Sequence, residues 1–197
     1  NTYLGACVTF SPADVLADVV RTSKVLYMEG YLFDPPDAQE AFRTAARIAH
    51  EAGRKVALSL SDRFCVDRHR KAFHDLVRGH VDILFANEDE ICALYETDDF
   101  EEAARRVAAE THFAVLTRSE RGSVIIQDQQ RIVIDSVRTQ VIDTTGAGDA
   151  YAAGFLAGWT SDRTLAECGR LGSVAASEVI SHYGARPLMN MRQDMDF

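Results

Sequence analysis

Short apolar runs and longer one-sided patterns alternate along this chain. "KVLYMEGYLF", "KVALSLS", "VDILFA" and "FAVLT" are brief, β-rich and apolar, and each reads as a buried strand, the first running to Gly30. Between them the period changes to that of a helix. In "PDAQEAFRTAARIAHEAGRK", Ala41, Phe42, Ala45, Ile48 and Ala49 share one face, and Gly53 closes the helix. "SPADVLADVVRTS" reads as a helix capped by Ser11, with Pro12 in its first turn and Asp14 completing a box-like cap. "DRHRKAFHDLVRGH", "NEDEICALYE" and "DDFEEAARRVAAETH" read as three more helices, the last opening at Asp98 or Asp99. "GSVIIQDQQRIVID" reads as a hairpin turning near Asp128 and Gln129. "TQVIDTTGAGDAYAAGFLAGW" reads as strand, turn and helix. "DRTLAECGRLGSVAASEVISHYGA" reads as mostly helical, with Gly184 near its end.

This alternation predicts an α/β fold: a doubly wound, mostly parallel sheet with helices on both faces and right-handed crossovers. No internal repeat or long linker interrupts the pattern, so residues 1–197 are expected to form a single domain. In such a sheet, ligands bind beyond the carboxyl ends of the strands. Attention therefore falls on Asn87-Glu88-Asp89-Glu90, on Thr117 to Gly122, and on Asp143 to Asp149, each directly after a predicted strand.

Composition narrows the partners. The 197 residues are 47% hydrophobic and 26% charged, ordinary for a globular protein, with a net charge of −9. Without a Lys/Arg block, binding to nucleic acid through phosphate neutralisation is not expected. No apolar run approaches the ~18 residues of a membrane span. Cys7, Cys65, Cys92 and Cys168 are scattered without a C-x-x-C, which fits a reduced, cytoplasmic compartment. The chain opens on Asn1 and reads as cut from something longer.

The chemistry concentrates in "DTTGAGDAYAAGF", Asp143 to Phe155. Gly146, Ala147 and Gly148 stand where a helix begins. There the first backbone N–H groups lack intrahelical acceptors and the helix dipole adds positive charge. That combination suits an anion, and a phosphoryl group is the natural guest. An ionised Asp149 beside a phosphate is costly unless it has a task, such as accepting the proton of an attacking hydroxyl. The same residues also suit a plain helix start, with Asp149 complementing the dipole. A dinucleotide fingerprint would need glycine where Tyr151 stands, and no G-K-[ST] of a Walker loop occurs.

Asn87 and Glu90 have the spacing of a capping box. They also suit Mg²⁺ held through water beside phosphates, since Mg²⁺ keeps several waters and uses few carboxylates. "TRSERG" is by itself a surface turn. Cys65, Asp67, His69 and His74 match no common zinc spacing and read as solvated helix residues. His182 suits the negative end of the last helix.

Taken together and in this order, the three stretches resemble the PfkB family of carbohydrate and nucleoside kinases, also called the ribokinase family. "DTTGAGDAYAAGF" is similar to that family's C-terminal signature, "NEDE" to its N-x-x-E motif, and "TRSERG" to its T-x-[GS]-x-x-G nucleotide loop, with Ser119 where glycine is more usual. The resemblance implies a ribokinase-like fold and ATP-dependent phosphoryl transfer to a primary hydroxyl. It implies Asp149 as catalytic base, and the amides of Gly146, Ala147 and Gly148 as the anion hole. It places Asn87 and Glu90 at Mg²⁺ and the ATP phosphates, Thr117, Ser119 and Gly122 along the nucleotide, and Ser173 near the adenine. Asp143 and Thr145 match positions that hold a monovalent cation such as K⁺ in many members. "VALSLSDRFCVD" and "VDILFANEDE" resemble adenosine kinases more than fructokinases, so adenosine or a related ribosyl compound is the expected substrate. A ribokinase- or fructokinase-type sugar kinase and a non-catalytic nucleotide-binding module remain alternatives. The resemblance further implies that the N-terminal part of the fold and its lid are missing from these residues, that the chain alone is inactive, and that the full-length protein forms a homodimer.

Overall fold

The computed structural model describes residues 5–128 and 130–191. Its strands are β1 (Val25–Glu29), β2 (Lys55–Ser59), β3 (Ile83–Asn87), β4 (Phe113–Thr117), β5 (Ser123–Gln127) and β6 (Gln130–Ile134). Its α-helices are α1 (Ala17–Thr22), α2 (Pro36–Glu51), α3 (Arg63–His80), α4 (Glu88–Tyr95), α5 (Phe100–Glu110), α6 (Ala147–Trp159) and α7 (Leu165–Val179). The strands follow the sheet order β1-β2-β3-β4-β5-β6. The chain divides into two compact units, residues 1–114 and 115–197.

In the first unit, β1 pairs in parallel with β2, and β2 with β3. Val56, Ala57 and Leu58 of β2 and Ile83 to Ala86 of β3 are buried without alternation. That is the pattern of parallel strands covered on both faces. The face of α2 predicted from its periodicity is the buried one, joined by Ala38 and Ala46. Phe33, in a 3-10 turn after β1, stacks on Phe73 of α3 at 4.4 Å and lies 5.5 Å from Phe42.

Two local expectations are corrected here. "SPADVLADVVRTS" is not one helix. Ser11 N–H and Oγ both donate to Asp14 Oδ2 at 2.9 Å, but this cap closes only a 3-10 turn, Pro12–Asp14, before α1 begins at Ala17. The break falls at Val15 and Leu16, whose backbones are extended. Helix α3 starts before its polar stretch, because the Asp62 carboxylate accepts the Cys65 N–H at 2.8 Å and caps it. A kink at His69, φ −123°, coincides with its 2.7 Å contact to Asp34. His74, also on α3, contacts Glu110 Oε2 and the Leu94 carbonyl, each at 3.0 Å.

In the second unit, β5 and β6 form an antiparallel hairpin in register from Ser123↔Ile134 to Gln127↔Gln130. The hairpin turns at Asp128, φ 47°, as expected, while Gln129 lies outside the described residues. Tyr151 of α6 and Ser123 of β5 share a buried hydrogen bond of 2.6 Å between hydroxyls. Helices α6 and α7 pack on each other. The expected strand at "TQVI" does not form. Its Ile142 N–H donates to Ile180 O at 2.8 Å, just past α7, instead of to a sheet neighbour. Val141 and Ile142 stay exposed. The turn that follows is therefore positioned by the end of α7 rather than by a strand.

Candidate active site

Three loops carry the predicted residues other than Ser173. Asn87 ends β3 and caps α4: its Oδ1 accepts the Glu90 N–H at 2.8 Å. The Glu90 carboxylate accepts Asn87 N–H at 2.9 Å and Asn87 Nδ2–H at 2.7 Å. The capping box is thus fully formed. Glu90 is only 6% exposed. Burial pushes its carboxyl up to about 7, against the opposing effect of the Asn87 N–H, and the nearby carboxylates of Asp62 and Asp89 add to the rise. Both of its oxygens are thus taken up by Asn87, and little of the side chain meets solvent.

A consequence for stability follows from this acid. Its folded-state value stands above the unfolded value of 4.5, so the folded chain holds the proton more tightly. The contribution is complete at low pH and is lost as pH rises through about 7, a difference of up to about 3 kcal/mol. Denaturant titrations between pH 5 and 8 should show Glu90→Gln gaining stability relative to the wild type as pH rises. Parallel pH profiles for the two proteins would refute a buried, proton-holding Glu90.

The second loop leaves β4 at Thr117. Arg118 N–H closes it onto Gly122 O at 2.8 Å, around a 3-10 turn at Ser119–Arg121. Ser119 has φ 51°, a left-handed conformation that glycine adopts at lower cost. Gly122 has φ 77° and ψ −133°.

The third loop precedes α6. Gly146, at φ 80°, is its N-cap. Asp143 Oδ1 accepts Thr145 N–H at 3.0 Å and Thr145 Oγ–H at 2.6 Å, while its Oδ2 accepts Gly184 N–H at 3.1 Å. These bonds hold the Asp143 carboxyl below the usual carboxylate range, led by that from the Thr145 hydroxyl. Its oxygens thus tie the turn together, which is compatible with a cation site but is also a complete structural role. Ala147 N–H donates to Thr144 O at 3.2 Å, so this amide serves the turn itself. Gly148 and Asp149 are exposed in the first turn of α6, and a Cβ at Gly148 would meet nothing within 4 Å. Ser173 lies on α7, 7% exposed.

The second unit thus brings Asp143, Thr145, Gly146, Ala147, Gly148 and Asp149 together at one helix start. The first unit brings Asn87 and Glu90 together at another. Sequence reasoning missed Gly184 and Ala185. The segment carrying them returns to this turn: Gly184 donates to Asp143, and a Gly146 Cβ would stand 2.7 Å from the Ala185 Cβ. Their only sequence signal is the small-residue pair after α7.

The profile of the pfkB family carbohydrate kinases matches residues 1–191. The chain belongs to the pfkB family. Its structure superposes on that of an adenosine kinase from Sinorhizobium meliloti with a TM-score of 0.95 and 54% identity, covering 98% of this chain and 60% of that one. A probable sugar kinase from Rhizobium etli CFN 42 matches with the same TM-score, 0.95, at 53% identity, covering 98% of this chain and 59% of that one. A cytidine kinase from Thermococcus kodakarensis is 29% identical over 165 residues, 80% of this chain and 58% of that protein. The chain spans about half the length of the curated relatives it matches. The ribokinase-like fold expected from the resemblance is the one observed, with a sheet made mixed by the β5–β6 hairpin. Among the described residues, no helix of this pfkB chain is long and apolar enough to cross a membrane.

Proposed function

We propose that this chain carries the ATP-binding and phosphoryl-transfer residues of a nucleoside kinase, with adenosine as the acceptor. The observation that carries the reading is the start of α6. An exposed glycine turn, the first-turn amides of Gly148 and Asp149 and the Asp149 carboxylate stand together where the dipole is positive. The 54% identity to an adenosine kinase structure supports the acceptor class. A sugar acceptor is the second reading, supported by the 53% identity to a probable sugar kinase.

In this reading the Gly148 and Asp149 amides face the transferring phosphoryl group, joined by Gly146, while the Ala147 N–H, held by Thr144 O, shapes the turn. Asp149 takes the proton from the acceptor's primary hydroxyl as its oxygen attacks the γ-phosphorus, the bond from that phosphorus to the bridging oxygen breaks, and ADP leaves with the bridging oxygen. Bound Mg²⁺ would supply neutralisation of the developing phosphate charge. Asn87 and Glu90 would hold it through water, and Thr117, Ser119 and Gly122 border the nucleotide, with Ser173 supporting the adenine side from within α7. Asp143 and Thr145 would hold a K⁺-type ion. The full-length protein is proposed to work in the cytoplasm as a homodimer.

Calorimetric titration of the full-length protein with ATP and Mg²⁺, beside Gly148→Val, tests the nucleotide site. Space around Gly148 is open and its φ is ordinary, so valine fits the fold and intrudes only on a ligand. Binding should weaken by more than about tenfold, roughly 1.4 kcal/mol. Unchanged binding by the variant would remove the phosphate from this turn.

A further inference from the structure

Glu178 occupies the last turn of α7, where the helix dipole disfavours a carboxylate. Its side chain is only 14% exposed, a second cost. One oxygen, Oε1, accepts two backbone N–H groups from beyond the helix, Leu188 at 2.8 Å and Met189 at 3.1 Å. The other oxygen, Oε2, is buried and has no hydrogen-bond partner among the described residues. His182 Nε2 is likewise buried and unpartnered; it lies 3.4 Å from Oε1, within ion-pair distance but not aligned for a hydrogen bond. A carboxylate placed against the dipole, out of water and half satisfied, is not there for the helix.

The chain between its two anchors supplies the reason. From His182 it runs through Gly184, which donates to Asp143, and Ala185, which fills the space beside Gly146, to the pair of amides held by Glu178. The segment is thus fixed at both ends, by Asp143 at the turn before α6 and by Glu178 at the end of α7. We infer that Glu178 is a positioning residue: it clamps residues 184–189 across the Gly146 turn, and so sets the aim of the amides at the start of α6. The link to phosphate rests on the kinase reading above; the clamp itself does not.

The test uses Glu178→Ala and Glu178→Gln in the full-length protein. Amide hydrogen exchange at Leu188 and Met189 should accelerate about tenfold or more in the alanine variant, which has no acceptor. Glutamine keeps the oxygen and loses the charge, and should accelerate exchange about fivefold. The same variants should raise KM for ATP by about tenfold while KM for the acceptor nucleoside stays within about twofold. Unchanged exchange in both variants overturns the clamp, whatever the protein catalyses. Faster exchange with unchanged KM for ATP overturns the positioning role. Should the alanine variant fail to fold, the glutamine variant decides on both readouts. If the wild type transfers no phosphoryl group, the kinase reading fails, and exchange with ATP binding then judges the clamp.

Discussion

Asp149→Asn in the full-length protein is expected to lower kcat for phosphoryl transfer by about 10²–10⁴-fold, with ATP affinity held within about threefold. Asparagine matches aspartate in size and still accepts a hydrogen bond, but it cannot take a proton from the attacking hydroxyl. The side chain is exposed in the first turn of α6, so no packing is lost. The favourable interaction with the dipole falls by about 0.3–1 kcal/mol, and the melting temperature should drop only slightly. Serving only to complement the dipole, Asp149 would give the opposite result: a small loss of stability and full activity. A coupled assay with adenosine and ATP, beside thermal denaturation, separates the two. Intact turnover in the variant would end the assignment of Asp149 as base. Lost turnover together with lost ATP binding would move its role to holding the nucleotide.

The largest stability effect should come from Gly122→Ala. Its φ of 77° with ψ −133° belongs to a region that side-chain-bearing residues almost never occupy. A Cβ there would stand 1.9 Å from the Ile134 carbonyl oxygen and 2.9 Å from the Ser136 nitrogen. Both are main-chain atoms at the end of β6 and cannot turn aside as a side-chain tip would. Backbone strain and overpacking together should cost about 3 kcal/mol or more. The urea midpoint should fall accordingly, and because Gly122 closes the loop from Thr117, ATP affinity should fall in the protein that remains folded. A variant with wild-type stability would mean that the loop and the end of β6 do not meet as described. Gly148→Val makes the contrast: open space there predicts lost binding with little lost stability.

The line between what was legible and what was not follows the range of the interactions. Periodicity is a local property, and it located β2, β3, β4, the β5–β6 hairpin, and the buried face of α2 to within a residue or two. The capping box of Asn87 and Glu90 was legible for the same reason, since its partners lie three residues apart. The glycine turn at the start of α6 was legible because helix starts have chemistry of their own.

What failed was decided by distant partners. "TQVI" is β-branched and strand-like, yet Ile142 bonds to Ile180, almost forty residues on, and no local pattern announces that. "SPADVLADVVRTS" carries a helical pattern and a real cap, but the extended backbone at Val15 and Leu16 divides it. The acidity of Glu90 follows from its burial, and burial depends on what packs over a residue. The return of Gly184 and Ala185 to the Gly146 turn, and the hold of Glu178 on Leu188 and Met189, were equally invisible. The sequence alone determined the α/β alternation, the capping box of Asn87 and Glu90 and the family the chain resembles, because spacing along the chain encodes all three. Only the tertiary structure decided which carboxylates are buried, which glycines stand in open space, and what holds the turn before α6 in place. Those depend on chain segments that meet only once the protein has folded.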